Sequence, residues 1–307
     1  MPKDIYLQPH APDPILSDAM ILSLVQRHVP EVRMVTGIDE SGGEARTYTI
    51  DETIILKVQR PHRLRPRTSL EREVIFLNQL AASPEIRVPR VLGYGREGTI
   101  EYTCMTHIQG VAVVHATLSL AARRAAIITL GRMLRRIHQV DQQPFIKRGL
   151  FPADRTTADI RTRLEGHVTE MVEKMHASGR AWPLAIPLED VAARVFATLP
   201  ETDECVALHS NPGPSHTFVD RVTGRFTGLI DLGDAYISHP ALDLWRWRLP
   251  DDRTAVFQGY TAEGPVSDAF IATWQVMAVL ADMVVIASEP ERAGEAVGDL
   301  KRLLAVF

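Results

Sequence analysis

The spacing of apolar positions changes several times along the 307 residues. Residues 15–29, ILSDAMILSLVQRHV, repeat apolar side chains at helical intervals behind Ser17 or Asp18 as a cap. From 32 to 58 the pattern alternates apolar and polar, with Gly42 and Gly43 in its middle. That predicts strand, glycine turn, strand, and a third strand ending near Lys57. A basic, proline-broken loop follows from Arg60 to Ser69. SLEREVIFLNQLAAS then predicts a helix with Leu70, Val74, Leu77 and Leu80 on one face. VPRVLGYGREGTIEYTCMTHIQG predicts two more strands around a turn at Gly98.

Beyond Gly110 the pattern is mainly helical. Helices are expected in SLAARRAAIITLGRMLRRIHQVD, RTTADIRTRLEGHVTEMVEKMHASG and PLEDVAARVFATLP, then a β-hairpin from Cys205 to Ala235, then further helices. Phe270 to Ser288 is the most apolar late segment. Gln275 and Asp282 interrupt it and its flanks are acidic, so it reads as a buried helix, not a membrane span. The plan is α+β and two-lobed: residues 1–106 a small β-rich lobe with one helix, residues 107–307 a larger, mainly helical lobe.

Composition is that of an ordinary globular chain, 45% hydrophobic and 23% charged. The two cysteines, Cys104 and Cys205, lie far apart and form no ligand or redox motif. Together with an N-terminus lacking a secretory pattern, that predicts a cytoplasmic protein. Net charge is −4 but uneven: residues 1–150 carry 20 Lys and Arg against 15 Asp and Glu, and residues 151–307 carry 14 against 23. A basic half suits a polyanion, and an acidic half would suit a cationic small molecule. No dense basic tract with interleaved aromatics points to nucleic acid.

Several motifs in order resemble the aminoglycoside phosphotransferase and choline kinase family, over roughly residues 20–290. Lys57 in IILKVQR stands where that family's strand-three lysine grips nucleotide phosphates. Glu73 matches the helix glutamate that holds the lysine, with Glu71 as a neighbouring competitor. ESGGEARTYTI, with Gly42 and Gly43, resembles the loop over the phosphates, where small residues let backbone N–H groups approach anions. In YTCMTHIQG, the backbone around Met105, Thr106, His107 and Ile108 resembles the connector that meets the base. Asp231 in GLIDLGDA matches the metal-binding aspartate, with Asp234 close by. Asp243 in HPALDL matches an aspartate that braces the catalytic loop, and LGRMLRRIHQVD matches the helix packed beneath it. The resemblance implies a protein-kinase-like fold, ATP or GTP as donor, Mg²⁺ with Mn²⁺ as a substitute, and a small-molecule hydroxyl as acceptor.

The loop VALHSNPGPSHTFVD departs from the family pattern of His-Gly-Asp, four residues, Asn. Aligned on His209, Asn211 takes the place of the catalytic aspartate and His216 the place of the metal-binding asparagine. A neutral amide takes no proton near neutral pH, and general-base help is worth about 10²–10⁴ in rate. Imidazole suits Mn²⁺ or Zn²⁺ better than Mg²⁺. Two readings follow: a phosphotransferase with impaired or altered catalysis, and a pseudokinase that binds a nucleotide or small ligand without transfer. A third is a partner-binding scaffold using apolar surface around Trp245 and Trp247.

Overall fold

The computed structural model describes residues 12–60 and 69–306. The N-terminal segment 1–11 and most of the basic loop expected after Arg60 lie outside the described residues. The chain divides into two compact units. The first comprises Met1–Gly110 and Thr227–Ala235, and the second Val111–Phe226 and Tyr236–Phe307.

In the first unit, α1 (Asp18–Gln26) precedes a sheet of β1 (Val35–Asp39), β2 (Ala45–Ile50), β3 (Ile54–Gln59), β4 (Val91–Glu97) and β5 (Ile100–Thr106). The strand order is β1-β2-β3-β5-β4, with every pairing antiparallel. The helix α2 (Ser69–Leu80) follows β3. Ser17 caps α1, accepting the Met20 N–H. Alternation sorts the sheet faces: Tyr48, Leu56 and Cys104 stand side by side across β2, β3 and β5, buried with Ile21, Leu24 and Val25 of α1. Burial pushes the Cys104 thiol up to about 12, so it packs as a small apolar group. One residue on, Thr47, Lys57 and Thr103 form the next row, on the opposite face. That places Lys57 away from the α1 side of the sheet.

The second unit holds α3 (Leu120–Gln139), α4 (Gln143–Arg148), α5 (Thr157–Ala177), α6 (Leu188–Thr198), α7 (Pro250–Thr261), α8 (Asp268–Ser288) and α9 (Ala293–Leu304). Its core joins α5, α6, α8 and α9 through Leu164, Met171, Val191, Val276, Leu280, Met283 and Leu300. The helix α8 is long and apolar enough to cross a membrane, and 72% of its most apolar window is buried inside the protein. Its one central acid is neutralised internally: Arg253 of α7 donates to Asp282 at 2.8 Å and also to Asp299 of α9. Burial nevertheless raises the Asp282 carboxyl to about 7 against the pull of Arg253.

The hairpin expected from Cys205 to Ala235 takes a different form. The strands β7 (Val206–Leu208) and β8 (Thr217–Val219) do not pair with each other. β7 pairs with β10 (Tyr236–Ser238), and β8 stands between β6 (Val111–Ala112) and β9 (Phe226–Leu229) in a three-stranded sheet, so the consecutive pair within the expected stretch is β8 with β9. The segment between β7 and β8 is therefore a long loop held at both ends by different ladders. The strand β9 (Phe226–Leu229) follows β8 and carries the chain into the Thr227–Ala235 segment.

Candidate active site

Lys57 is the centre of a charge triad in the first unit. Its ammonium lies 2.8 Å from Glu73 Oε2 and 2.8 Å from Asp231 Oδ1. Burial alone would lower the Lys57 ammonium, but the charges of Asp231 and Glu73 outweigh it and hold the group above its ordinary value. Glu73 is buried on α2 and burial raises its carboxyl, with Lys57 pulling the other way. The competitor Glu71 is elsewhere, 3.9 Å from Arg96.

The Asp231 segment is docked onto the start of α2. Leu232 donates its N–H to Glu73 Oε1 at 3.2 Å. A side chain at Gly233 would come within 2.9 Å of the Ser69 Cβ, so only glycine permits this approach. Asp231 itself stands at φ 69°, a left-handed conformation that is uncommon outside glycine and asparagine. One glutamate thus holds both the lysine and the turn that carries Asp231, and the Asp231 side chain stays 41% exposed.

The glycine-containing turn is braced from one side. Arg60 donates to the Glu40 and Gly42 carbonyls at 3.0 and 3.1 Å, and Arg46 donates to the Glu40 carboxylate at 2.6 Å. Asp13 joins both arginines. The two glycines differ: a Cβ on Gly42 would meet the Ala45 carbonyl at 2.6 Å, while Gly43 has open space around it. In the connector, Met105 is buried, and the N–H groups of Thr106 and His107 are already donated, to Arg90 O and Thr53 O. The His107 ring also donates from Nδ1 to Glu52 O at 2.8 Å.

In the second unit, Asp243 organises the loop that follows β7. Its carboxylate, wholly buried, accepts the N–H groups of His209 and Ser210, each at 2.8 Å. It also accepts from His138 Nε2 at 3.0 Å, and His138 Nδ1 meets the Tyr260 hydroxyl at 2.9 Å. His209 Nδ1 accepts the Asn211 N–H at 3.2 Å, so that nitrogen carries a lone pair. His216 Nδ1 faces the Asn211 carbonyl at 2.8 Å and donates to it. The two rings stack with centroids 6.2 Å apart.

Sequence reasoning missed three parts of this loop. Ser210 occupies φ 77°, where the family motif has glycine, and it holds that strained conformation against the Asp243 carboxylate. Arg246 donates from Nε to the Ser210 carbonyl at 3.1 Å. Trp247 is fully buried and donates its indole N–H to Pro212 O at 2.9 Å. The Ser for Gly exchange was readable from the motif, whereas the partners of LWRWRLP had no local signal. Trp247 thus belongs to the interior and offers no partner surface.

Among the described residues no group of three or more His, Cys, Asp or Glu side chains is arranged to hold a metal ion. The donor set does suit a single hard-oxygen ligand to a cation shared with phosphate oxygens, namely Asp231.

The fold has counterparts among solved structures. The GDP complex of wild-type aminoglycoside 2'-phosphotransferase-IIIa superposes with a TM-score of 0.59 at 14% identity, covering 94% of this chain and 99% of that one. The streptomycin–ATP ternary complex of APH(2")-IIa gives 0.58 at 16%, covering 91% and 93%. Macrolide 2'-phosphotransferase MphH from Brachybacterium faecium gives 0.57 at 18%, covering 91% and 97%. At these identities the likeness speaks to the fold. No curated protein matches the chain by sequence. The model of the phosphotransferase enzyme family, however, matches residues 36–280, and on that match the chain belongs to the phosphotransferase enzyme family.

Proposed function

We propose that this chain binds ATP or GTP through its first unit and transfers the terminal phosphate, slowly, to a hydroxyl of a small molecule held by its second. The observation that carries this reading is the bracket around Lys57, with the buried Glu73 on one side and the part-exposed Asp231 on the other, each at 2.8 Å. A lysine ammonium held by a buried glutamate is the arrangement that steadies nucleotide phosphates. The first unit, Met1–Gly110 with Thr227–Ala235, is on this reading the nucleotide part and the second unit the acceptor part, which moves Asp231 and Ile108 to the nucleotide side of the boundary expected at 106/107. Gly43, with open space, suits close approach of backbone to phosphate, and Gly42 shapes the turn. Since the N–H groups of Thr106 and His107 are spent within the fold, they are not the connector's donors to the base.

Mg²⁺, bound with the nucleotide, would neutralise phosphate charge, and Asp231 would hold it. His216 takes the place of the asparagine that binds metal in the family motif and is a nitrogen donor, so the binding assay should compare Mn²⁺ with Mg²⁺. In transfer, the acceptor oxygen forms the new bond to the terminal phosphorus while the bond to the leaving diphosphate oxygen breaks. Asn211 orients the hydroxyl but does not take its proton, which passes to solvent. Because phosphoryl transfer has a loose transition state, the missing base slows the step without abolishing it.

The second reading, a pseudokinase, is favoured by one detail: the loop closes on itself through His216 and the Asn211 carbonyl. Thermal unfolding with millimolar ATP or GTP and Mg²⁺ or Mn²⁺ tests binding, because a ligand of the folded state raises stability by mass action. Transfer from labelled ATP to pooled hydroxyl compounds then separates the two readings. Binding with no transfer, even by Asn211→Asp, leaves the pseudokinase.

A further inference from the structure

The glycine turn of the first unit is tied down by a residue that precedes α1. Residues 40–44 lie between β1 and β2 and belong to neither strand. Two arginines hold them. Arg60 donates to the Gly42 carbonyl at 3.1 Å and the Glu40 carbonyl at 3.0 Å, and Arg46 donates to the Glu40 carboxylate at 2.6 Å. Both arginines then reach out of the turn to one acid: Asp13 receives Arg60 at 2.5 Å and Arg46 at 3.0 Å. Arg46 also donates to the Pro14 carbonyl at 3.0 Å. This short segment is itself fixed to the sheet. Leu16 donates its N–H to the hydroxyl of Tyr48 at 3.1 Å, Tyr48 is buried with α1 in the core, and Ser17 caps that helix.

The charges in this brace balance, two guanidiniums against the carboxylates of Asp13 and Glu40. The two acids differ in what they anchor. Glu40 belongs to the turn and moves with it, whereas Asp13 belongs to the segment fixed before α1. Without Asp13, both arginines would share Glu40, and the buried Arg46 guanidinium would lose half of its compensation. The remaining links would run inside the hairpin and no longer tie it to α1. Alternation sets the side on which the brace stands. Arg46 and Tyr48 share one face of β2, and Lys57 pairs with Thr47 on the other. The brace therefore grips the turn from the α1 side, and the Lys57 side takes no part in it.

We propose that Asp13 is a positioning residue for nucleotide phosphate: through Arg46 and Arg60 it holds the Gly42–Gly43 turn in the shape that receives the phosphates. The assignment rests on reading the first unit as the nucleotide unit. A turn ordered before the ligand arrives loses less conformational freedom on binding, and that tightens affinity. Asp13 acts only through the two arginines and touches no ligand. Its removal should therefore show in the order of the turn and in ATP affinity, beyond any loss of overall stability.

The test measures two quantities on the full chain: backbone ¹⁵N order parameters without ligand, and the Kd for ATP with Mg²⁺ by isothermal titration. Residues 41–44 of the parent should have order parameters of about 0.85, and Asp13→Asn should lower them to about 0.6 or below with the strands unchanged. Asp13→Asn should bind ATP about fivefold more weakly. Arg60→Gln, which removes the other end of the same bond, should weaken ATP as well, and the double variant should lose less than the product of the two effects. Asp13→Glu, which keeps the carboxylate, should recover both quantities in part. Val25→Ala, a cavity in the core beneath α1, should destabilise the chain and change neither. A turn already mobile in the parent, a turn that stays ordered in Asp13→Asn, or an equal loss of ATP affinity in Val25→Ala would overturn the assignment. Equal ATP affinity in the parent and Asp13→Asn would remove this role and leave the nucleotide reading standing. No ATP binding by the parent, beside a turn that Asp13 does order, would remove the nucleotide reading and this role with it.

Discussion

Asp243 accepts the backbone N–H of Ser210 at 2.8 Å while Ser210 stands at φ 77°. The carboxylate thus stabilises a conformation that a serine resists. Left-handed backbone costs a non-glycine residue about 1–2 kcal/mol. Ser210→Gly should therefore raise unfolding stability by about 1 kcal/mol in urea titrations. A neutral or destabilising result would show that the serine is not strained.

Removing the brace should act in the opposite direction. Asp243→Ala leaves the N–H groups of His209 and Ser210 and the His138 ring without their acceptor in a buried site. The expected loss is about 3 kcal/mol, measured by urea unfolding.

Lys57→Met should abolish the stabilisation given by ATP in thermal unfolding. It should also destabilise the unliganded chain by about 3 kcal/mol, because the buried Glu73 loses its counter-charge. The double variant Lys57→Met with Glu73→Gln should recover part of that stability but none of the nucleotide response. A lysine with a purely structural role would leave the nucleotide response intact.

Two buried groups give opposing pH dependence. Burial, and then the charge of His138, holds the His239 imidazole down at about 4, with Glu204 3.9 Å from its ring. Between pH 4 and 6.5 the unfolded chain binds a proton at 239 that the fold refuses, so the fold weakens as pH falls, by about 3 kcal/mol in all. Asp282 does the converse: between its ordinary 3.8 and about 7 the folded chain keeps a proton that the unfolded chain has released. That contribution weakens the fold as pH rises, by about 4 kcal/mol. His239→Asn should therefore make the protein gain stability toward pH 4 relative to the parent, and Asp282→Asn should make it lose stability. Parallel pH profiles for parent and variants would contradict both assignments.

Much of this was legible in sequence because it is local. Alternation placed the five strands of the first sheet, with α2 after β3, and the order of Lys57, Glu73, Asp231 and Asp243 carried the fold. The choice of Glu73 over Glu71 is a matter of helix face, which the apolar neighbours Val74 and Leu77 already indicate. Long-range pairing was not legible. β7 finds β10 and β8 finds β6 across stretches of chain that periodicity does not connect, so a simple hairpin was expected in their place. Arg246 was silent for the same reason, since its meaning comes from the Ser210 carbonyl 36 residues earlier.

The central claim, a phosphotransferase slowed at one loop, is tested most directly by single-turnover transfer of label from ATP, with the parent chain and Asn211→Asp measured side by side. The account predicts slow transfer by the parent and a rate higher by about 10²-fold or more in the variant, since the aspartate restores general-base help. Equal rates, or no transfer by either protein under conditions where ATP binds, would contradict it.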